Sequence, residues 1–384
     1  MKIDKQFMSG VSILVGTAIG AGIFGIPFVT AKVGFVPGMF YIFVLGFIIL
    51  LVTVLYAEVT LRTKEKHQLP GYASIYLGKW GKGVALMALV ISIYGALVAY
   101  TMEIGVFLDA LLSDSLGGSP KIYSLIFFGL ASIAIYVGLK TVATLEKIMV
   151  GLLILVICLL FVFGVKEIEV ANYVTFNASN LLLPYGVILF ALGAGTAVPD
   201  ARFLLKGKEK KLLRVVQIGI IIPIVVYLLF AFLVVGVSGE ETTESAILGL
   251  GTVLGSHVLL IGAIFGVLAM GSSFLSLGNV LKETFQYDFK LKKILAWVLV
   301  MSIPLIIYLL DIVTFIEALG FAGGVLGGVE GLLMISLFKK AKKMGNRKPE
   351  FDFKLPKIIL YFMHLVFIGG IGYVIYQAIV KWLI

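Results

Sequence analysis

Apolar residues in this chain fall into unbroken blocks of roughly twenty rather than alternating with polar ones. Eleven blocks can be drawn, near residues 7–31, 36–61, 83–112, 122–139, 145–165, 182–205, 212–237, 258–281, 292–310, 312–338 and 357–380. A helix of that length crosses about 30 Å of hydrocarbon. The lack of alternation argues against barrel strands. Between the seventh and eighth blocks, Ser245 to Gly255 reads as a short external helix. The pattern predicts one all-α integral membrane domain over residues 1–384, with eleven transmembrane helices. The first block follows Met1–Lys5 at once and exceeds a signal-peptide core, so insertion through the first helix itself is expected.

The basic residues give this pattern an orientation. With loops assigned alternately from an inside N-terminus, 27 lysines and arginines fall inside, including Lys2, Arg62, Lys66, Lys140, Lys147, Arg202, Lys282 and the run Lys339–Lys348. Only Lys32, Lys121, Lys166 and Lys381 fall outside. An extra or missing span would scramble the count, so it supports both the number of helices and a cytoplasmic N-terminus with an extracytoplasmic C-terminus. The expected location is the cytoplasmic (inner) membrane.

Composition narrows the classes. The chain is 60% hydrophobic and 14% charged, whereas soluble domains carry about a quarter charged residues. Its net charge of +10 sits in the loops, a distribution that argues for membrane orientation rather than nucleic-acid binding. Cys158 is the single cysteine, so no disulfide framework is available. His67, His257 and His364 have no partners at metal-ligand spacing, and neither cofactor nor metal is expected. Without a phosphate-binding loop, an ATP-driven pump is disfavoured. No catalytic cluster suggests an enzyme.

Two blocks carry the wrong residues for a plain membrane helix. Gly16 to Pro27 in span one and Phe190 to Asp200 in span six each combine several glycines with a proline. In a helix interior glycine costs about 1 kcal/mol and proline about 3, and freed backbone groups find no water in mid-membrane. Close helix packing explains one such segment. Two of them, in opposite orientation and five spans apart, instead fit an inverted repeat with two discontinuous helices around a binding site. Where such a helix restarts, unpaired N–H groups carry partial positive charge and suit a carboxylate. Carbonyls at the end of the first half suit an ammonium group or a cation. A zwitterion fits both.

At these residues the sequence resembles the amino acid/polyamine/organocation transporter superfamily, above all its amino acid/auxin permease branch and the bacterial aromatic and hydroxy amino acid permeases. The motifs are Gly16–Pro27 with Lys32–Phe35, Leu183–Gly193, Pro199–Lys211 and Gly271–Leu275. The resemblance implies a LeuT-like five-plus-five inverted repeat: repeat one about 7–165, repeat two about 182–338 and an additional helix about 357–380. It implies a secondary active transporter of amino acids. Carried over, Gly20, Ala21 and Gly22 offer donors to the substrate carboxylate. Ala18, Ile19 and the carbonyls of Ala191, Leu192 and Gly193 take the ammonium, and Phe190 is an aromatic lid. Ala99 and Tyr100 of span three line the opposite wall.

The superfamily also implies a choice of coupling ion. A sodium site would draw on Gly16, Ile19, Ala269, Ser272 and Ser273; the last three share one face of span eight. The bland alternative has the serines bonding carbonyls of their own helix. The lysine that replaces sodium in some proton-driven relatives is absent from span five, Ile148 to Phe163. A proton carrier would then be an embedded carboxylate: Glu103, the deepest in its span, then Glu317 or Glu330. Glu58 is explained by an ion pair with Arg62 at i+4. The reading adopted is proton symport of neutral amino acids by a monomer or weak homo-oligomer. Sodium symport, a channel lined by the glycines of Phe321–Gly331, and an amino-acid sensor stay open.

Overall fold

A computed structural model describes residues 4–137, 142–287 and 289–383, and within them every side chain save those of 142–150, 287 and 381–383. Of the residues counted for topology, Lys2 and Lys140 lie outside the described residues, as do the side chains of Lys147 and Lys381.

The described residues form helices and turns without a strand. Span one is a pair, α1 (Lys5–Ala18) and α2 (Gly22–Val33), bent by 53° at the intervening residues. Then come α3 (Phe35–Arg62), α4 (Leu69–Leu116), α5 (Pro120–Val137) and α6 (Val142–Gly164). Span six is also a pair, α7 (Pro184–Ala191) and α8 (Val198–Leu204), followed by α9 (Leu212–Ser238) and the short α10 (Ala246–Leu254). The chain ends with α11 (Ser256–Tyr287), α12 (Lys293–Leu309), α13 (Phe315–Phe321), a π turn (Ala322–Gly327), α14 (Gly328–Met344) and α15 (Lys357–Leu383). Among the described residues, eight helices are long and apolar enough to span a membrane and the bent pair makes a ninth. With α12 and the 23-residue α6 in the places of spans nine and five, the eleven expected crossings are present.

Burial on α3 divides by face as a lipid environment requires. On α3, Phe40, Phe43 and Phe47 are exposed while Ile42, Leu45 and Ile49 on the other side are buried. Continuous hydrophobicity thus marks a helix packed on one side and wetted by lipid on the other. Cys158 is exposed on α6.

Three expectations need correction. The 62–82 segment is not all loop, because α4 begins at Leu69 and turns at Gly78 with φ 74. That left-handed conformation suits glycine alone, and it lets Tyr72, Ala73 and Tyr76 tuck inward before the crossing begins. The eighth span does not stop near 281; α11 continues to Tyr287, and Lys282 lies within it, bonded to Asn279 Oδ1 at 2.9 Å. Span ten is interrupted by the π turn.

Several loops expected on one side do meet at one end. Lys66 pairs with Asp200 at 2.5 Å, Arg62 with Asp352 at 2.9 Å, and Lys208 with Asp4 at 3.1 Å. The α14–α15 loop is strapped there. Glu58, wholly buried, accepts from Arg62 Nε at 2.7 Å and from the Phe353 N–H at 2.6 Å, and Arg347 donates to Leu61 O at 2.7 Å. At the opposite end Lys32 donates to Glu240 O at 3.3 Å.

Candidate functional site

The two broken spans meet in the middle of the bundle. At the first break the Gly20 N–H turns back to Ala18 O at 3.1 Å, instead of reaching the Gly16 carbonyl as a continued helix would. The N–H groups of Ala21 and Gly22 have no acceptor among the described residues. Two of the three expected donors are therefore unpaired, and they sit where α2 begins and its dipole is positive. At the second break Leu192 N–H bonds Ile188 O at 3.0 Å and Gly193 N–H bonds Phe190 O at 3.1 Å, and the backbone then runs irregularly to α8.

Ala18 and Ala191 are the last residues of α1 and α7, so two helix C-termini with partial negative charge converge there. Tyr227 of α9, wholly buried, answers both. Its hydroxyl lies 2.8 Å from Ala18 O and 2.8 Å from Ala191 O. One proton thus serves two carbonyls that were expected to await an ammonium. The sequence reading missed this residue. The usable signal was a hydroxyl in an apolar span, which must find a partner, but it was one tyrosine among 16.

A cavity of about 110 Å³ lies against the breaks, lined by Thr17, Ala18, Gly20, Phe190 and Gly193, by Ser92, Ile93, Ala96 and Tyr100 of α4, and by Gly323, Gly327 and Glu330 across it. It shares Thr17, Leu89, Ile93, Thr196 and Leu277 with a second cavity of about 950 Å³. That vestibule runs to Lys66, His67, Asp200 and Lys82 at the basic end. On the other side of the breaks, buried Phe24, Phe107 and Phe265 close the bundle, with ring centroids 5.3 and 6.5 Å from Phe24. The site is open at the basic end and shut at the other.

The remaining expected residues separate clearly. Phe190 and Tyr100 line the cavity, and a Cβ on Gly20 would stand 3.1 Å from the Tyr100 hydroxyl and 3.9 Å from that of Ser273. Ala99 is fully buried and lines neither cavity; Ser92 and Ala96 take the wall it was expected to form. Ile19, Ala21 and Leu192 are buried beside the breaks. Ser272 Oγ donates to Ala269 O at 2.9 Å, so two expected sodium ligands bond each other. Glu103 is 2% exposed and lines neither cavity, and its Oε1 has no hydrogen-bond partner among the described residues. Glu317 sits in a capping box at the start of α13, accepting from the Thr314 N–H at 2.9 Å. Only Glu330 of the three carboxylates reaches the cavity.

The profile of the tryptophan/tyrosine permease family matches residues 3–377. The chain is 25% identical over 358 residues to the tyrosine-specific transport system 1 of Haemophilus influenzae, covering 88% of each. It is 27% identical over 328 residues to the glutamine transporter 2 of Aliivibrio fischeri, covering 82% of this chain and 84% of that one. Among solved structures, MhsT in complex with L-phenylalanine superposes with a TM-score of 0.69 at 17% identity, over 97% of this chain and 98% of that one. That likeness shows the LeuT-like fold, in which two inverted five-helix repeats surround the breaks. A family profile spanning almost every residue, on a bundle built around two broken helices, makes this chain a member of the tryptophan/tyrosine permease family.

Proposed function

We propose that the protein is a proton-coupled symporter that carries neutral amino acids across the cytoplasmic membrane by alternating access. The observation that carries this reading is the pair of breaks facing one cavity. Beside that cavity, which Ala18 and Gly20 line, the N–H groups of Ala21 and Gly22 are unpaired and the C-termini of α1 and α7 converge. A zwitterion matches both poles. Apart from Glu330, the central cavity holds no charged side chain, which favours substrates without a charged side chain. Relatives that carry tyrosine and glutamine, and a neighbour that binds phenylalanine, fit the same class.

In this reading the basic end is cytoplasmic, so the conformation described is inward-facing. The repeats run over about 7–165 and 182–338, with α15 outside them and the amino acid/auxin permease branch as the home of the chain. The protein works as a monomer or weak homo-oligomer. Sodium symport is disfavoured by the bond between Ser272 and Ala269. A channel along Phe321–Gly331 is disfavoured because Gly324 packs against Gly186 and Val374, and Gly323, at the edge of the cavity, against Gly186 and Phe190.

The test is ligand-induced thermal stabilisation of purified protein across the twenty amino acids, with and without sodium, at two pH values. Stabilisation grows as RT ln(1 + [L]/Kd). Shifts for a few neutral amino acids, larger at acidic pH and indifferent to sodium, are expected. No shift for any amino acid removes the proposal.

A further inference from the structure

We infer that Glu330 carries the coupling proton, and that its charge is what ties proton binding to closure of the cavity. This rests on the proton-symport reading above.

Three observations single it out. Glu330 lines the same cavity as Ala18, Gly20 and Phe190, so it shares the substrate's compartment. It makes no hydrogen bond or ion pair among the described residues, although it stands in the middle of a membrane bundle. Its helix begins two residues earlier, directly after the π turn. Of the other embedded candidates, Glu103 lines neither cavity and Glu317 is held in its capping box. The titratable side chains around Glu330 are Tyr56 of α3, Tyr100 of α4 and, towards the vestibule, Asp200 of α8; no lysine or arginine lines the central cavity.

The consequence is electrostatic. With the vestibule open, water reaches the carboxylate through the shared wall of Thr17 and Thr196 and keeps it solvated. Closing the cavity over an amino acid displaces that water, and an unpaired buried carboxylate is then strongly disfavoured. The empty cavity keeps its water and closes with the carboxylate ionised. Taking up one proton converts it to the neutral acid and removes the penalty. Closure over the amino acid therefore requires the proton, and reopening to a less acidic side releases it. Coupling follows from one solvation penalty, without direct contact between proton and substrate.

The experiment compares two assays in proteoliposomes, for L-tyrosine and for L-glutamine. Accumulation driven by a pH gradient needs net proton movement, whereas counterflow exchange does not. Wild-type protein coupled to one proton accumulates substrate about tenfold per pH unit. Glu330→Gln is expected to bring gradient-driven uptake down to equal concentrations while keeping counterflow, and Glu330→Asp to restore part of the accumulation. Glu330→Gln that concentrates substrate like wild type overturns the inference. So does a Glu330→Gln protein that melts like wild type but has lost counterflow, which makes the residue a substrate anchor. Glu103→Gln losing accumulation while Glu330→Gln keeps it transfers the role and overturns it as well. Wild-type protein that concentrates substrate on sodium alone overturns proton symport itself, and that result is visible before any variant is made. Should Glu330→Gln fail to fold, labelling of wild type with dicyclohexylcarbodiimide decides. This reagent attacks protonated carboxyls in apolar surroundings, and it is expected on Glu330 at acidic pH and not at alkaline pH. A Glu330 unlabelled at every pH overturns the inference.

Discussion

Gly22 and Ala191 touch where the two broken spans meet: a Cβ built on Gly22 would fall 2.5 Å from the Ala191 Cβ and 2.6 Å from its Cα. The start of α2 and the end of α7 are thus held at backbone distance, which sets the gap a substrate must bridge.

A methyl group at position 22 has to displace Ala191, whose carbonyl is held by Tyr227. Overpacking of this kind costs about 1–3 kcal/mol. Gly22→Ala is expected to weaken amino-acid affinity about tenfold, and Gly22→Leu to abolish binding. Titration by thermal shift checks it; wild-type affinity in Gly22→Leu would place the substrate elsewhere.

Tyr227→Phe keeps the ring and removes the proton shared by Ala18 and Ala191. Two buried helix ends then face each other without a donor. A loss of about 1–3 kcal/mol is expected, seen as a lower melting temperature of ligand-free protein. An unchanged melting temperature would mean that water or another donor replaces the hydroxyl.

What the sequence could and could not disclose follows from the same geometry. Both breaks were legible because glycine and proline act on the backbone locally, at Gly16–Pro27 and at Phe190–Asp200. Tyr227 was not, because its partners are backbone carbonyls 209 and 36 residues away along the chain. Ranking the carboxylates by depth does not say which of them reaches the cavity, for a related reason. Depth along a helix says nothing about the side it faces: Glu103 is the deepest in its span and yet lines neither cavity. Glu317 looked embedded only while span ten was drawn from 312; with α13 starting at Phe315, it becomes a cap.

Glu58 tests the strap at the basic end. Glu58→Ala leaves Arg62 with Asp352 alone and removes the acceptor of the Phe353 N–H. Breaking a buried pair from one side costs about 3–5 kcal/mol. A markedly lower melting temperature and faster proteolysis within 345–356 are expected. Wild-type resistance to protease would show that the loop is held by other contacts.

Acid sensitivity should be traceable to two surface carboxylates. Lys211 and then Lys208 hold Asp4 well below the usual carboxylate range, and Lys342 lowers Asp352. A depressed carboxylate stabilises the fold fully above its unfolded value, about pH 4, and loses that contribution as the pH falls through the folded value. The double variant Asp4→Asn/Asp352→Asn should therefore melt below wild type at neutral pH, with the gap narrowing on acidification. A gap that is the same at every pH would rule out ionic stabilisation.

The π turn at Ala322–Gly327 gives span ten a mechanical property that a plain helix lacks. A π turn stores one surplus residue, and each residue of an α-helix advances the chain by about 100° around the axis. If the turn relaxed to α geometry, α14 would rotate relative to α13 like a key in a lock. Glu330, three residues past the turn, would sweep out of the cavity towards another neighbour. The Glu330→Cys variant would then react with a charged thiol reagent in one state and be shielded in the other; equal reactivity in both would leave the turn as a fixed kink. Access to the carboxylate would thus be set by torsion of a single helix, without separation of whole subdomains.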